Sequence, residues 1–326
     1  MITIIGGSGF IGTRLCKRLE HDGVDFTIVD KVTSKTFGDK TAVADVRDYN
    51  GLVKACDGDV IINLAAEHRD DVSPKSLYDE VNVDGARRVC EVAEQKGIHK
   101  IIFTSSVAVY GFAPLGTDES GEINYFNDYG RTKYEAELIY KAWQEKDPTN
   151  RTLVIVRPTV VFGEQNRGNV YNLLRQIASG KFMMIGDGTN RKSMAYVENI
   201  AAFLEYSLKF ENGVHIYNYI DKPDFDMNTL VAKVNKALGK DEKIGFRMPF
   251  VVGYSIGKVF DLVAAITGKK LTVSSIRVKK FCSDSMFDTS VAKSGFVPPV
   301  KLEDGLASTI KYEFVDKNEG ELFYSE

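Results

Sequence analysis

A glycine-rich turn after the first apolar run constrains the fold of this chain more than any other feature. Residues 2–5 are apolar or β-branched, and residues 6–12 read Gly-Gly-Ser-Gly-Phe-Ile-Gly. Glycines in such a turn let the backbone approach a pyrophosphate, and the helix that begins there offers free N–H groups. The pattern therefore predicts a dinucleotide site, with contacts from Gly6, Gly9, Phe10, Ile11 and Gly12.

A carboxylate at the end of the second predicted strand selects between the two nicotinamide dinucleotides. Asp30 lies about 20 residues beyond the glycines, where the ribose of a bound dinucleotide is held. Its carboxylate can accept hydrogen bonds from the ribose hydroxyls and repels a 2′-phosphate, so the sequence predicts NAD rather than NADP. Lys31 beside it weakens this preference slightly.

Short β-branched runs alternate with helical patterns through the first half of the chain. Strands are expected at residues 2–5, 25–29, 60–64, 100–104 and 152–156, and helices at residues 9–22, 49–55, 76–97 and 129–146. This alternation predicts an α/β fold with a doubly wound parallel sheet of the Rossmann type.

The second half of the chain is mixed. Helices are expected at residues 170–179 and 197–209, with strands at 182–185 and 214–219, and the last helix and strand could rejoin the sheet. We therefore expect an NAD-binding domain at residues 1–166 and 193–220. A smaller mixed α/β substrate-binding lobe is expected at residues 167–192 and 221–326.

The composition is that of an ordinary globular protein. The formal charge of −3 over 326 residues is too small to argue for or against a nucleic-acid partner. No long basic run appears, and no nucleic-acid partner is expected. The four cysteines and four histidines show no metal-ligand spacing, so no metal site is expected. No basic segment precedes an apolar one at the N-terminus, and no uncharged apolar run reaches about 18 residues. These features predict a cytoplasmic protein with reduced thiols.

A Tyr-x-x-x-Lys pair carries the clearest chemical signal. Tyr129 and Lys133 are four residues apart on a predicted helix and share a face. A nearby ammonium group favours the phenolate and lowers the tyrosine pKa, which suits a general base. The spacing is weak evidence alone, because Tyr254 and Lys258 repeat it in an unrelated setting. A Ser-rich strand end at residues 104–106 and the glycine turn distinguish the first pair.

Several further motifs accompany this pair and complete a family resemblance. They are Asp45-Val46, Leu64-Ala65-Ala66, Asn82-Val83-Asp84-Gly85, Arg157-Pro158, Gly186-Asp187-Gly188 and Tyr196-Val197-Glu198-Asn199. Together with the glycine turn they resemble the extended short-chain dehydrogenase/reductase family, in its NAD-dependent sugar epimerase/dehydratase branch. The resemblance covers nearly the whole chain.

The resemblance implies roles for individual residues. Ser106 would hydrogen-bond the reacting sugar hydroxyl, Tyr129 would act as acid and base, and Lys133 would bind the nicotinamide ribose. Asp45 and Val46 would face the adenine. Further cofactor contacts are implied for Ala65, Ala66 and Pro158.

Other polar residues near these motifs have structural or open assignments. Asn82 is expected to fix strand and loop backbone, Ser105 to make a backbone hydrogen bond, and Arg157 to form a buried ion pair. His68 and Arg69 are candidates for substrate contact, with a solvated loop as the equal alternative.

The residues that follow Ser106 narrow the reaction. In the dehydratases of this family an Asp-Glu pair stands there and eliminates water, whereas this chain has Val107 and Ala108. Elimination is therefore disfavoured. Oxidation and reduction at one carbon remain, and a 4-epimerase needs only Ser106, Tyr129, Lys133 and a retained NAD.

Four further segments resemble a narrower group, the bacterial undecaprenyl-diphospho-N-acetylglucosamine 4-epimerases. They are residues 65–74, 167–174, 180–184 and 273–281. That group converts GlcNAc to GalNAc on a lipid-linked diphosphate at the cytoplasmic face of the membrane, during O-antigen and lipopolysaccharide synthesis. The substrate candidates are the cations Arg167, Lys192 and Arg277 for the diphosphate, with Asn169, and with Ser285 leaving room for an acetamido group.

Residues 250–266 are strongly apolar but contain Lys258 and Asp261. The preferred interpretation is a buried or half-buried helix of the second lobe. With a lipid-linked substrate, the alternative is an interfacial helix that docks at the bilayer. A homodimer through residues 76–97 and 129–146 is implied by analogy with the family.

Three alternatives stay open. A UDP-GlcNAc or UDP-glucose 4-epimerase would share every catalytic residue, although Lys192 stands where such enzymes usually carry an arginine. An NAD(P)H-dependent 4-keto-sugar reductase is disfavoured by Asp30. A redox-sensing binding protein on the same fold is disfavoured by the intact Ser106, Tyr129 and Lys133.

Overall fold

Twelve strands occur in the part of the chain that the computed structural model describes, which is residues 1–69, 72–268, 271, 274–316, 318 and 320–324. They are β1 (Ile2–Ile5), β2 (Phe26–Asp30), β3 (Thr41–Val43), β4 (Val60–Asn63), β5 (Lys100–Thr104), β6 (Thr152–Pro158), β7 (Val160–Phe162), β8 (Met184–Ile185), β9 (Arg191–Tyr196), β10 (Gly213–Tyr219), β11 (Asp221–Asp226) and β12 (Arg247–Met248).

The helices lie between these strands. They are α1 (Phe10–His21), α2 (Tyr49–Ala55), α3 (Ser76–Tyr78), α4 (Gly85–Lys96), α5 (Asp128–Glu145), α6 (Asn169–Ala178), α7 (Val197–Tyr206), α8 (Met227–Ala237), α9 (Phe250–Thr267), α10 (Ser275–Cys282) and α11 (Leu302–Phe314). A π-helical segment, Asp79–Asp84, joins α3 to α4, and the predicted helix at residues 76–97 contains all three.

Seven strands form the central sheet in the order β10-β6-β5-β4-β1-β2-β3, and every neighbouring pair is parallel. The chain order reverses between β1 and β4, so the loops after these strands diverge and leave a crevice at their carboxyl ends. The predicted doubly wound sheet is confirmed. The expected return of the chain to this sheet occurs at β10, which pairs with β6.

Alternate residues of the central strands supply a core on each face of the sheet. On β6, Val154 and Val156 pack with α1 and α7, whereas Leu153 and Ile155 pack with α2, α4 and α5. A parallel sheet covered on both faces needs continuous apolar strands. This requirement explains why the sequence reads as short β-branched runs.

Two smaller sheets and a third core complete the molecule. Strands β11, β9 and β7 form one sheet, and β12 pairs with β8. Helices α6, α8 and α11 pack on the first of these through a cluster that includes Leu174, Leu230 and Leu306. The strand predicted at residues 182–185 is present only over Met184–Ile185.

Helix α9 packs through its glycines instead of its large apolar side chains. A Cβ on Gly257 would lie 2.7 Å from the Cα of Ser275, so α9 and α10 are in close contact there. The Asp261 carboxylate faces the protein and accepts a hydrogen bond from the Ser275 backbone N–H at 3.2 Å.

The outer face of α9 is apolar and exposed. Val251, Leu262 and Ile266 keep 72%, 62% and 76% of their surface accessible. The preferred interpretation of residues 250–266 as a buried or half-buried lobe helix is therefore wrong. Among the described residues, α9 is the one helix long and apolar enough to cross a membrane by length and composition.

Candidate active site

A cleft of about 1150 Å³ opens at the carboxyl ends of the central strands. Every residue predicted to bind the cofactor lines it, as does Ser106: Gly6, Gly9, Phe10, Ile11, Gly12, Asp30, Asp45, Val46, Ala65, Ala66, Tyr129, Lys133 and Pro158. Of the substrate candidates, His68, Arg69, Asn169 and Ser285 line the cleft, and Arg167, Lys192 and Arg277 do not. The topology thus brings residues from the ends of six strands, β1 to β6, into one cavity.

The glycine turn after β1 fits a pyrophosphate. Gly6 has φ +78°, and a Cβ there would lie 2.6 Å from the backbone nitrogen of Ala65. A Cβ on Gly12 would lie 2.6 Å from the Cα of Gly7. Helix α1 begins after Gly9 and has no side-chain cap. Its first N–H groups therefore meet the cleft, where they suit an anion.

The end of the cleft beside β2 is built around carboxylates. Asp30 accepts hydrogen bonds from the backbone N–H groups of Ser8, at 3.1 Å, and Val32, at 3.2 Å. Arg47, which the sequence analysis did not identify, also lines the cleft. It donates to Asp45 at 2.8 Å and to Glu80 at 3.0 Å, and its guanidinium holds the pKa of Asp45 below its usual range. Because two carboxylates already pair with Arg47, its guanidinium is poorly placed to bind the 2′-phosphate of NADP.

The start of α5 places Tyr129, the predicted acid and base, beside Ser106. Asn127 caps the helix, because its Oδ1 accepts a hydrogen bond from the Gly130 N–H at 2.9 Å. A Cβ on Gly130 would lie 2.4 Å from the Ala108 carbonyl oxygen, so α5 touches the loop that follows Ser106. Across this contact the Ser106 hydroxyl acts to lower the pKa of the Tyr129 phenol.

The electrostatics of the pair differ from the sequence prediction. Burial raises the pKa of Tyr129 to about 12, while the Ser106 hydroxyl acts to lower it. Burial also lowers the pKa of Lys133 to about 7, against the influence of the Glu137 carboxylate. The predicted depression of the tyrosine pKa by Lys133 is therefore absent in the protein alone, because the loss of water around the phenol outweighs nearby charge.

A buried ion pair lies beneath the predicted catalytic residues. Arg157 donates to both carboxylate oxygens of Glu137, from Nε at 2.8 Å and from Nη2 at 2.6 Å. This confirms the structural assignment of Arg157. Ser105 makes the expected backbone hydrogen bond, from its N–H to the Val156 carbonyl at 2.7 Å, and its hydroxyl also donates to Glu137 Oε1 at 2.6 Å. The carboxylate, one turn beyond Lys133 on α5, attracts the hydroxyl because it is the stronger acceptor.

The loop after β4 is held by Asn82. This residue lies in the π-helical segment, and its side chain accepts from the Glu67 N–H at 2.9 Å and donates to the Glu67 carbonyl at 3.0 Å. The expected backbone role of Asn82 is confirmed. The loop then presents His68 and Arg69 to the cleft, with Arg69 paired to Glu67 at 3.1 Å.

Three predicted substrate cations lie outside the cleft lining. Arg167 pairs with Glu313 at 2.9 Å and covers the Tyr171 ring at 4.0 Å. Lys192 donates to the backbone carbonyls of Lys280 and Ser283 at the end of α10. Arg277 is exposed on α10, where its N–H donates to the Ser274 hydroxyl.

The chain has a doubly wound sheet with a glycine turn at its switch point, and it brings Ser, Tyr and Lys into one cleft. These features define an enzyme of the extended short-chain dehydrogenase/reductase class. Residues 2–219 match the NAD dependent epimerase/dehydratase family. The chain belongs to that family, and its cofactor is NAD.

Individual relatives agree with this assignment. The chain is 52% identical to the N-acetyl-alpha-D-glucosaminyl-diphospho-ditrans,octacis-undecaprenol 4-epimerase of Escherichia coli O157:H7, over 99% of this chain and 98% of that protein. It shares its fold with UDP-N-acetylglucosamine 4-epimerase from Bacillus cereus, with a TM-score of 0.74 at 17% identity over 97% and 99% of the two chains. The NAD complex of UDP-glucose 4-epimerase from Thermus thermophilus has a TM-score of 0.71 at 19% identity over 95% and 98%.

Proposed function

We propose that the protein epimerises C4 of a diphosphate-linked N-acetylhexosamine, converting undecaprenyl-diphospho-GlcNAc to undecaprenyl-diphospho-GalNAc for surface polysaccharide synthesis. The observation that carries the proposal is the 52% identity to an Escherichia coli 4-epimerase named for that substrate, over nearly the full length of both chains. The match includes the second lobe, where the part of the substrate beyond the sugar would bind. Fold similarity alone would not separate lipid-linked from nucleotide-linked sugars.

The cleft residues supply the proton chemistry of this reaction. Ser106 holds the C4 hydroxyl, and Tyr129 removes its proton. When bound, NAD would supply the hydride chemistry, as the acceptor of a hydride from C4 and the donor that returns it. The 4-keto sugar turns over in the cleft and presents its opposite face. Tyr129 then returns the proton to the new hydroxyl, so the cycle consumes no external reductant.

The protein must stabilise charge on Tyr129 during this cycle. Burial raises the pKa of Tyr129 to about 12 in the protein alone, so the phenolate that takes the C4 proton forms only when further contacts lower that pKa. The Ser106 hydroxyl acts to lower the pKa and is one source of stabilisation. Protonated Lys133, one helical turn away, would be a second source and would also hydrogen-bond the nicotinamide ribose. Val107 and Ala108 offer no acid or base that would divert the ketone to elimination.

The positions of the cleft residues support separate roles for the two lobes. We assign residues 1–166 and 193–220 to the NAD-binding domain, and residues 167–192 and 221–326 to the substrate lobe. Phosphate contacts would fall to Gly6, Gly9 and Gly12, and the ribose to Asp30. Sugar contacts would come from His68, Arg69, Asn169 and Ser285, which line the same cavity.

Helix α9 is proposed to rest on the inner face of the cell membrane. Its outer face carries large exposed apolar residues, while its glycines pack against the protein. A helix with this arrangement suits the boundary between headgroups and acyl chains. Contact there would bring the cleft to a substrate whose chain stays in the bilayer.

We also propose a homodimer through α4 and α5. The two helices pack together on one face of the central sheet. Leu138 of α5 is exposed although the rest of the surface of these helices is mostly charged. Pairing of the same face in a second copy would cover it.

Product analysis with two substrates tests the reaction. The purified protein, without added cofactor, is incubated separately with undecaprenyl-diphospho-GlcNAc and with UDP-GlcNAc, and the GalNAc formed is measured. GalNAc on the lipid alone is expected. GalNAc on UDP alone would make the protein a nucleotide-sugar epimerase, and turnover that depends on added NADPH would make it a reductase.

A further inference from the structure

Two exposed phenylalanine rings stand beside the catalytic cleft. Phe112 follows Gly111, which lines the cleft, and Phe126 precedes Asn127, the cap of the helix that carries Tyr129. The ring centroids are 4.6 Å apart with an interplanar angle of 69°. The rings keep 65% and 57% of their surface accessible. Such a pair on a surface loop is unfavourable in water and marks a binding surface.

The backbone, and not the protein core, holds the rings in place. Gly111 donates its N–H to the Ala108 carbonyl at 3.2 Å, and Asn124 donates to the Val109 carbonyl at 3.1 Å. The first bond closes the turn before Phe112, and the second ties together the two loop segments that carry the rings. The rings are therefore preorganised without being needed to fill the interior.

A cation from the second lobe meets the same rings. The Lys280 ammonium lies 4.9 Å from the Phe126 centroid and 6.0 Å from the Phe112 centroid. Lys192 fixes this end of α10, because its ammonium donates to the Lys280 carbonyl at 2.9 Å. The arrangement therefore sets a positive charge and an apolar surface side by side at the cleft.

The surface continues toward the proposed membrane helix. Lys280 is on α10, and α10 packs against α9 through Ser275, whose hydroxyl donates to Asp261. A ligand that runs from a bilayer along α9 and α10 would thus pass Lys280 and the two rings before it reaches Tyr129.

We infer that Phe112, Phe126 and Lys280 form an aromatic–lysine site for the linkage region of a lipid-linked sugar, an inference that rests on the proposed function. Lys280 binds the diphosphate, and the two rings contact the first units of the apolar polyprenyl chain. The rings meet edge to face, so they do not offer parallel faces to a planar nucleotide base. The methyl-branched chain of a polyprenol fits such an angled apolar surface. The site also supplies a cationic side chain for the diphosphate, which Arg167 and Lys192 do not provide within the cleft.

Chain-length dependence tests the inference. The double variant Phe112→Ser/Phe126→Ser, the variant Lys280→Ala and the wild type are assayed with undecaprenyl-diphospho-GlcNAc and with GlcNAc diphosphate bearing a short alkyl group. The double variant should lose about tenfold in kcat/KM on the undecaprenyl substrate, mostly through KM, and little on the short one. Lys280→Ala should lose activity on both, because both carry the diphosphate. Val297→Ser, at an exposed apolar residue outside the cleft lining, is the matched control.

The outcomes distinguish failure of the aromatic–lysine site from failure of the proposed function. Suppose that the wild type converts the lipid-linked substrate. If the double variant then loses kcat/KM equally on both substrates, or keeps it on both, the aromatic–lysine site is wrong and the proposed function stands. If the wild type converts neither diphosphate-linked lipid, the proposed function fails and takes the inference with it.

Discussion

The Lys133 ammonium lies 4.4 Å from the ring centroid of Phe103, which belongs to β5, the strand that ends two residues before Ser106. Only 2% of the lysine surface is accessible, so a ring face replaces most of its water. Burial accordingly lowers its pKa to about 7. The lysine therefore destabilises the cofactor-free fold while it supplies the site with an ammonium group that titrates near neutral pH.

Replacing this lysine should stabilise the protein in a pH-dependent way. The folded-state pKa is about 7 and the unfolded value is 10.5, so between them the unfolded chain binds more protons and the stability of the wild type rises with pH. The Lys133→Met variant lacks this dependence. Its advantage in free energy of unfolding should be largest at and below pH 7 and should shrink toward pH 10, as measured by urea denaturation of cofactor-free protein.

The second Tyr-x-x-x-Lys pair provides the matched control. Lys258 is exposed on α9 and lies 5.5 Å from the Tyr254 ring centroid. Lys258→Met should show no comparable pH-dependent gain. A Lys133→Met protein that is less stable than wild type at neutral pH would mean that the lysine contributes net favourable contacts.

Removal of the Tyr129 hydroxyl should stop turnover without releasing NAD. The phenol is the proton carrier of the proposed cycle, and general acid–base groups contribute about 10²- to 10⁴-fold to rate. Tyr129→Phe should therefore lose at least about 10²-fold in kcat, measured as GalNAc formed. The NAD content of the purified protein, measured after denaturation, should stay near that of wild type. Tyr254→Phe should be fully active, and substantial activity in Tyr129→Phe would contradict the mechanism.

The buried pair beneath the site should be far more sensitive than a surface pair. Glu137→Gln removes the charge that Arg157 binds through two hydrogen bonds and leaves a buried cation uncompensated. The expected loss in free energy of unfolding is about 3–5 kcal/mol. The exposed Arg88–Glu91 pair serves as a control, and Glu91→Gln there should cost less than about 1 kcal/mol. Equal losses in urea denaturation would show that Glu137 is not a structural anchor.

Local sequence patterns predicted the sheet well because its strands are covered on both faces. The predicted limits of β1, β5 and α2 match the structure, and the other central strands shift by one or two residues at an end. Of the strands in the described residues, β3, β7, β9, β11 and β12 were not predicted. The strands β3 and β7 have three residues each, and the exposed Val43 and Val160 show that they lack the continuous apolar run that signals a central strand.

Residues that act through long-range contacts were beyond sequence reasoning. Arg47 engages Glu80, 33 positions away, and Ser105 reaches Glu137, 32 positions away. Neither spacing is a motif. The burial of α9 was also predicted wrongly, since its apolar residues resemble those of a core helix. Only the structure reveals that the small Gly253 and Gly257 face inward.

The outward apolar face of α9 makes a prediction about membranes. Val252, Ile256 and Val259 are exposed, so serine at these positions should not remove core packing. The triple variant should bind vesicles of phosphatidylethanolamine and phosphatidylglycerol more weakly than wild type in a sedimentation assay, because less apolar surface is available to enter the interface. Its melting temperature should stay close to that of wild type.

A second variant serves as the control for loss of packing between α9 and the protein. Gly257→Val places a side chain against Ser275, where even an added Cβ would lie 2.7 Å from the Cα of Ser275, so it should lower the melting temperature by displacing α9. The triple serine variant should differ from it by retaining stability and losing vesicle binding. Unchanged vesicle binding together with a lower melting temperature would instead mean that these side chains stabilise the lobe, and that α9 does not meet lipid.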